Sequence, residues 1–168
     1  MKKLLESGLP PPVVEPDPFL EVLPSFWRIP PNYETEHEKV VIALRERIKE
    51  LNCLYGISQL ADRHPESFED LFQELVNLLP PSWQYPEIAC ARIIFRGKTF
   101  KTRDFKVTKW RQMAPIIFYN QRGGEVAVFY REERPAAHEG PFLREERALL
   151  DAVAQRISHI SMRLSAEQ

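Results

Sequence analysis

The sequence predicts a mixed α/β domain of the α+β class, with a central antiparallel sheet of about four to six strands flanked by long N- and C-terminal helices. Three observations support this prediction. Apolar residues recur at steps of three and four from residue 41 to residue 79, which is the period of an α-helix. They alternate from residue 88 to residue 131, as in strands with one buried face. Helical spacing returns from residue 150 to residue 164.

Composition limits the classes of function. The 168 residues carry a net charge of −1, with 43% hydrophobic and 28% charged residues, as in an ordinary globular protein. This balance gives no sign of the strong phosphate attraction that drives nucleic-acid binding, so we expect no nucleic-acid partner. We also expect no membrane insertion, because no stretch reaches the roughly 18 apolar residues of a spanning helix. The start of the chain lacks a secretory signal pattern, so a cytoplasmic location is expected.

Residues 1–34 form a proline-rich N-terminal arm, and residues 35–168 form the predicted domain. Eight of the fifteen prolines fall in the first 31 residues, which excludes a continuous helix there. The segment from Phe19 to Ile29 has more apolar bulk than a typical disordered tail. We therefore expect it to dock on the domain or on a partner chain; an unordered tail is the alternative.

Two helices should follow the arm. Thr35 and Glu38 have the spacing of a capping box, and the helix that starts there should end near His64, which precedes a proline. Ser67 should cap a second helix, with apolar residues on one face. The pair Pro80-Pro81 should end this second helix, because proline cannot continue it.

Four strands are predicted before the last helix, and residues 105–108 are expected to form either a short edge strand or a loop. The four strands span residues 87–95, 99–102, 110–119 and 126–131. Gly97-Lys98 and residues 120–124 should form the hairpin turns, because glycine adopts left-handed backbone angles readily. Pro115 cannot donate to a sheet ladder, so its strand should lie at an edge or contain a bulge. Glu145 and Glu146 should lie in the first turn of the C-terminal helix.

The first and last helices carry apolar stripes with the stepping of a coiled-coil seam. On this basis we expect a homodimer, in which the two helices of each subunit form a parallel four-helix arrangement; the alternative is a monomer whose stripes cover one sheet face. The predicted interface residues are Val41, Leu44, Ile48, Leu51, Tyr55, Leu150, Val153, Ile157, Ile160 and Leu164.

Four segments carry a resemblance to a known family. They read LNCLYGIS at 51–58, LPPSWQYPEIACARIIF at 79–95, FKVTKWRQ at 105–112 and EGPFLREERALLDAVAQRI at 139–157. In these four segments the chain resembles the compact GAF-type module of bacterial sensor histidine kinases and related signalling proteins. The resemblance implies a sheet-centred sandwich whose terminal helices transmit signals to a partner protein. Residues 99–110 are shorter than the segments that close over ligands in ligand-binding GAF domains.

A ligand site, if the domain has one, is expected on the sheet face opposite the long helices. A few polar groups among apolar walls are typical of such sites. The alternative for the aromatic residues is packing in the core or at the corner after Pro81. The candidate ligand-binding residues are Arg92, Trp110, Gln112 and Tyr130, with Trp83 and Tyr85 at the rim.

We find no pattern that requires catalysis. Cys53 and Cys90 are expected to be free, buried thiols, since cytosolic disulfides are rare. The four histidines lack the paired spacing of zinc ligands, and no glycine-rich phosphate loop opens a helix. We therefore expect no metal and no catalytic residues, and the sequence does not identify a cofactor.

The sequence thus predicts a non-enzymatic, GAF-like sensory or regulatory module. It would dimerise through its terminal helices and signal by protein–protein contact, with or without a small-molecule ligand. The alternative is a ligand-free structural or adaptor protein whose proline-rich arm docks on a partner.

Overall fold

The computed structural model describes residues 36–63 and 67–167, and the predicted arm and its boundary at residue 35 lie outside this part. The chain divides into two compact units between Arg45 and Glu46. The helices are α1 (Glu36–Arg63), α2 (Phe68–Leu78) and α3 (Arg144–Ala166), with a short 3-10 helix at Pro80–Ser82. The strands are β1 (Ala89–Phe95), β2 (Lys98–Lys101), β3 (Arg111–Phe118) and β4 (Gln121–Tyr130).

The boundaries of α2 confirm its predicted cap and stop signals. Helix α1 is described as far as Arg63, and its predicted stop at His64 lies outside the described residues. The Asp70 backbone N–H donates to Ser67 Oγ at 3.3 Å, which caps α2 as its sequence predicts. Helix α2 ends at Leu78, where the 3-10 turn of Pro80-Pro81 takes over because proline offers no backbone donor. No described helix has the length and apolar character needed to span a membrane.

The four strands form one antiparallel sheet in the order β2-β1-β4-β3. Pro115 lies in β3, which is an edge strand, and a register shift separates Ile116 from Ile117. Both findings confirm the prediction from Pro115, because an edge strand leaves one side of its ladder unpaired. On that outer side the Ile117 N–H donates to Ser158 Oγ of α3 at 3.0 Å. Helix α3 therefore provides a hydrogen-bond acceptor for one of the backbone N–H groups at the outer edge of β3.

Both hairpin turns lie earlier in the chain than the sequence predicts. Arg96 and Gly97 have φ values of 51° and 81°, so the first turn is Arg96-Gly97. Tyr119 and Asn120, with φ values of 49° and 62°, form the second. Positive φ at both central residues is the geometry of two-residue hairpins, whose twist matches that of the strands.

Gly124 is a strand residue instead of part of the second turn. It pairs with Phe95 of β1. A Cβ atom at this position would overlap the Ile94 carbonyl oxygen. Close approach of two strands, and not turn geometry, therefore requires glycine here.

All three helices contribute to a single main core on one face of the sheet. Helix α2 packs against β1 and β2, and α3 packs against β3 and β4. Residues Cys53, Ile57 and Leu60 bring the second part of α1 into the same core. The sheet residues on this core face are Ala91, Ile93, Phe95, Gln112, Ala114, Ile116, Val126, Val128 and Tyr130.

The opposite face of the sheet is covered only in part. Its small apolar cluster consists of Cys90, Ala127 and Phe129, against which Phe105 and Met113 pack. Residues 102–110 form the loop that brings Phe105 there, and the Cys90 thiol donates to the Lys106 carbonyl oxygen at 3.6 Å. This second face therefore carries a loop where the core face carries helices.

Candidate functional site

Three of the predicted ligand-binding residues meet in the core. Trp83, Gln112 and Tyr130 are each buried to 1% exposure or less. Trp83 Nε1 donates to Gln112 Oε1 at 3.0 Å, and the Tyr130 hydroxyl donates to Glu146 Oε2 at 3.1 Å. These residues belong to two hydrogen-bonded sets. One is Tyr130 with Glu146, and the other is Trp83 with Gln112, Glu139 and Arg147; together we call them the polar cluster.

Glu146 joins three parts of the fold. Besides the Tyr130 hydroxyl, its carboxylate accepts the backbone N–H of Leu143 at 2.7 Å and that of Gln84 at 2.8 Å. Burial raises the pKa of Glu146, while these three hydrogen bonds oppose the shift. The same side chain thus caps α3 and ties the helix to β4 and to the corner after Pro81.

The other half of the polar cluster is an arginine–carboxylate pair. Arg147 Nη2 lies 2.6 Å from both carboxylate oxygens of Glu139, and Nε lies 2.8 and 3.0 Å from them. The pKa of Arg147 is raised, chiefly by this pairing. Arg147 Nη1 also donates to the Met113 carbonyl oxygen at 2.9 Å, and Gln112 Nε2 donates to Glu139 at 3.4 Å. The pair therefore fastens the loop before α3 to strand β3.

Four members of the polar cluster, Trp83, Gln112, Tyr130 and Glu146, are buried in the core, while Glu139 and Arg147 are half-buried. The buried polar groups hydrogen-bond to other groups of the protein. This agrees with the alternative that the aromatic residues pack in the core instead of lining a ligand site. Tyr85 lies beside it, half-buried, with its ring 5.5 Å from that of Tyr130, and the Arg134 guanidinium lies 5.2 Å from the Tyr85 ring centroid. Trp110 is also half-buried and lies against the main core. Trp83, expected at a rim, is fully buried instead.

Arg92 is not part of this cluster. In the register of β1 and β4, Ala91 lies opposite Val128 on the core face, which puts Arg92 opposite Ala127 on the second face. The predicted convergence of Arg92 with Gln112 and Tyr130 therefore does not occur, because successive strand residues point to opposite faces. Arg92 instead lies over the Phe129 ring at 5.4 Å and pairs with Glu125 at 3.2 Å.

The two predicted dimer stripes differ in their surroundings. The five α3 residues, Leu150, Val153, Ile157, Ile160 and Leu164, are all buried in the core of this one chain. In α1, by contrast, Leu44 and Leu51 are each 56% exposed and Tyr55 is 65% exposed, while Val41 and Ile48 are half-buried. Packing within the chain accounts for the α3 stripe, whereas the α1 residues keep a large apolar surface in solvent.

The cysteines are two free, buried thiols, as predicted. Burial raises the pKa of Cys53 to about 11, and it also raises that of Cys90. Cys53 lies on α1 against the main core, and Cys90 lies on the second face of the sheet. Among residues 36–63 and 67–167, no group of three or more His, Cys, Asp or Glu side chains could hold a metal ion.

Two open grooves of more than 500 Å³ lie away from the polar cluster in the described part of the chain. One, of about 510 Å³, lies between α2 and the β1–β2 hairpin, where Phe68, Phe72, Phe95 and Phe100 meet Arg96 and Lys98. Lys98 forms an ion pair with Glu69 of α2 across this groove. The other, of about 650 Å³, follows the edge strand β3 along α3, beside Pro115, Ile117 and Ala152.

Sequence reasoning missed the concentration of positive charge in residues 92–111. This segment contains eight Lys or Arg residues and only one acidic residue, Asp104. The net charge of −1 for the whole chain conceals it, because acidic residues elsewhere offset the sum. A count in a sliding window would have found it.

No family model, curated protein or solved structure matches this chain. The class of protein is therefore set by its own geometry, which is an α+β domain with a four-stranded antiparallel sheet and three helices in the described part.

Proposed function

We propose that this protein is a non-enzymatic, GAF-like regulatory module that acts by protein–protein contact and forms a homodimer through α1. The observation that carries the proposal is the exposure of Leu51 and Tyr55 on α1, at 56% and 65%. Large apolar side chains repeated along one helix are typical of a surface that another helix covers.

The second part of α1 supports this assignment because its two sides differ. Cys53, Ile57 and Leu60 are buried in the main core, whereas Leu51 and Tyr55 face solvent. The four-residue step from Leu51 to Tyr55 fits a seam between two helices. Burying a large apolar side chain stabilises an assembly by about 1.5–3 kcal/mol. Two such residues from each subunit would make a large contribution to a dimer.

The proposed interface uses α1 alone. The matching stripe on α3 already packs against the sheet, so a four-helix seam would require the core to open. The polar cluster is also filled by protein groups, which favours regulation through contacts over regulation by a ligand held there. A signalling protein as the partner follows from the resemblance in sequence. The adaptor alternative depends on residues 1–34, outside the described part of the chain.

Light scattering coupled to size-exclusion chromatography tests the dimer. At tens of micromolar we expect a particle of about twice the 19.7 kDa chain mass, since cyclic dimers are the commonest closed oligomer. The double variant L51E/Y55E should shift it to the monomer mass, because four charges would be buried in the interface. Val107 is 58% exposed, but on the loop, so V107E is the matched control and should remain dimeric. A monomeric wild type, or loss of the dimer in V107E, contradicts the proposed interface.

A further inference from the structure

The basic segment of residues 92–111 contributes side chains to the second face of the sheet. Arg92 and Lys101 are paired across β1 and β2, and Arg111 is paired with Phe129 across β3 and β4. Directly opposed residues share a face, and Arg92 lies on the face of Phe129. Arg92, Lys101 and Arg111 therefore point to the same side. We call these three residues, together with Phe105, the basic face.

Phe105 lies at the centre of the basic face. Its ring packs edge-on against Phe129 with centroids 5.3 Å apart. The Arg92 guanidinium and the Lys101 ammonium lie 5.8 Å and 5.7 Å from the Phe105 ring centroid. Two cations thus share one aromatic ring, which keeps them close together despite their repulsion.

Little negative charge offsets these cations. Glu125 is the carboxylate that pairs with Arg92, and it is shared with Arg122. Lys101 and Arg111 are exposed, as is Lys106 on the adjoining loop, and no ion pair joins these three to any residue within 36–63 or 67–167. Such a surface attracts an anionic partner and would speed its association.

We propose that the basic face binds an acidic, extended segment of a partner protein. Val107 is 58% exposed between Lys106 and Lys109, so the loop offers apolar contact beside positive charge. A protein segment carries both kinds of side chain, whereas a nucleic acid needs rings free for stacking. Phe105 is instead engaged by Phe129, and the chain as a whole is not basic. This surface is distinct from the α1 stripe, so the inference does not depend on the proposed dimer.

Fluorescence anisotropy with two labelled probes tests this proposal. One probe is a fluorescein-labelled decapeptide of glutamate and leucine, and the other is a fluorescein-labelled twenty-nucleotide oligothymidine. The wild-type chain should bind the peptide more tightly than the oligonucleotide, and added NaCl should weaken peptide binding because charge drives it. No peptide binding at millimolar protein, or tighter binding of the oligonucleotide, overturns the proposal.

Charge reversal identifies the surface. K101E/R111E should weaken peptide binding about tenfold or more, because two attractive charges become repulsive. The matched control is R144E/R156E, which changes the net charge equally at two exposed positions of α3. It should change affinity less than about twofold. Equal losses in both variants would show attraction by net charge alone and contradict a site on the basic face. Thermal unfolding of each variant verifies that it is folded.

Discussion

The Tyr130 hydroxyl donates a hydrogen bond to Glu146 Oε2 at 3.1 Å, inside the core. Both side chains are 1% exposed or less, and they join the end of β4 to the first turn of α3. The Glu146 carboxylate accepts hydrogen bonds from this hydroxyl and from two backbone N–H groups. Leaving a buried carboxylate without such partners would cost stability. Through these three bonds the Glu146 carboxylate connects α3 to the end of β4 and to the corner that contains Gln84.

Glu146 should make stability depend on pH. Burial raises its pKa in the folded protein above the ordinary glutamate value of 4.5, so the folded protein keeps this proton at a higher pH than the unfolded chain does. Its contribution to stability is fully present below about pH 4.5 and is lost as pH rises through the raised value. Urea unfolding from pH 4 to 8 should show wild type losing stability relative to E146Q, whose amide does not titrate.

Glu145 offers the control for this pH dependence. It lies in the same first turn but is exposed, so E145Q is a matched carboxylate-to-amide change at the start of α3. A change of stability with pH that is equal in E146Q and E145Q would show that burial of Glu146 does not shift its ionisation.

Trp83 should be coupled to Gln112. W83F removes the indole donor and leaves Gln112 Oε1 without its 3.0 Å partner, which should cost about 1–3 kcal/mol of unfolding free energy. Replacing both residues removes the orphaned group. The double variant W83F/Q112M should therefore be more stable than the sum of the single effects predicts, by about 0.5 kcal/mol or more. Strict additivity in a double-mutant cycle would refute this coupling.

Arg147 should not tolerate lysine. R147K keeps the charge but loses the two-pronged contact with Glu139 and the bond to the Met113 carbonyl oxygen. We expect a loss of about 1–2 kcal/mol in chemical denaturation, since partial exposure screens the pair. The control R144K changes an exposed residue of the same helix and should cost less than about 0.5 kcal/mol. Equal stability of R147K and wild type would show that the arginine-specific contacts with Glu139 and Met113 add nothing to stability.

Local sequence patterns were enough to predict the helices and strands, but not which face of each one packs against the rest of the protein. Ser67 and Pro80-Pro81 mark helix ends through short-range chemistry, and Pro115 marks an edge strand for the same reason. The predicted turn at residues 120–124 included Asn120 but not Tyr119, because non-glycine residues rarely adopt the positive φ that Tyr119 has here.

Which residues meet at the candidate site depends on how the strands pair, and the sequence of one strand does not show this. Alternation shows that Arg92 and Ile94 share a face, but only the register with β4 shows which face lies against the helices. The α3 stripe has the same ambiguity, because a seam for a partner and a core-facing surface have similar spacing. Pairing and packing along the whole chain decide both cases.

Gly124 and Gly97 should respond differently to alanine. G124A places a Cβ against the Ile94 backbone, which cannot move without breaking the pairing of β1 and β4, so we expect a loss of about 3 kcal/mol or more. G97A meets open space, and its φ of 81° should cost only about 1–2 kcal/mol. Thermal and urea unfolding of the two variants measure the difference. A smaller loss for G124A than for G97A would show that the strands can separate locally.

Cys53 should report opening of the main core. Its pKa of about 11 leaves roughly one thiol in a thousand ionised at pH 8, and the thiolate is the reactive form. Labelling by Ellman's reagent should therefore be slow in the native chain and fast in urea, with a native rate set by unfolding of the core. The variant C90S isolates the signal of Cys53.

The destabilised double variant C90S/L71A should label faster, because Leu71 is fully buried in the same core and its truncation costs about 2–5 kcal/mol. Rapid labelling of native C90S would contradict the burial of Cys53.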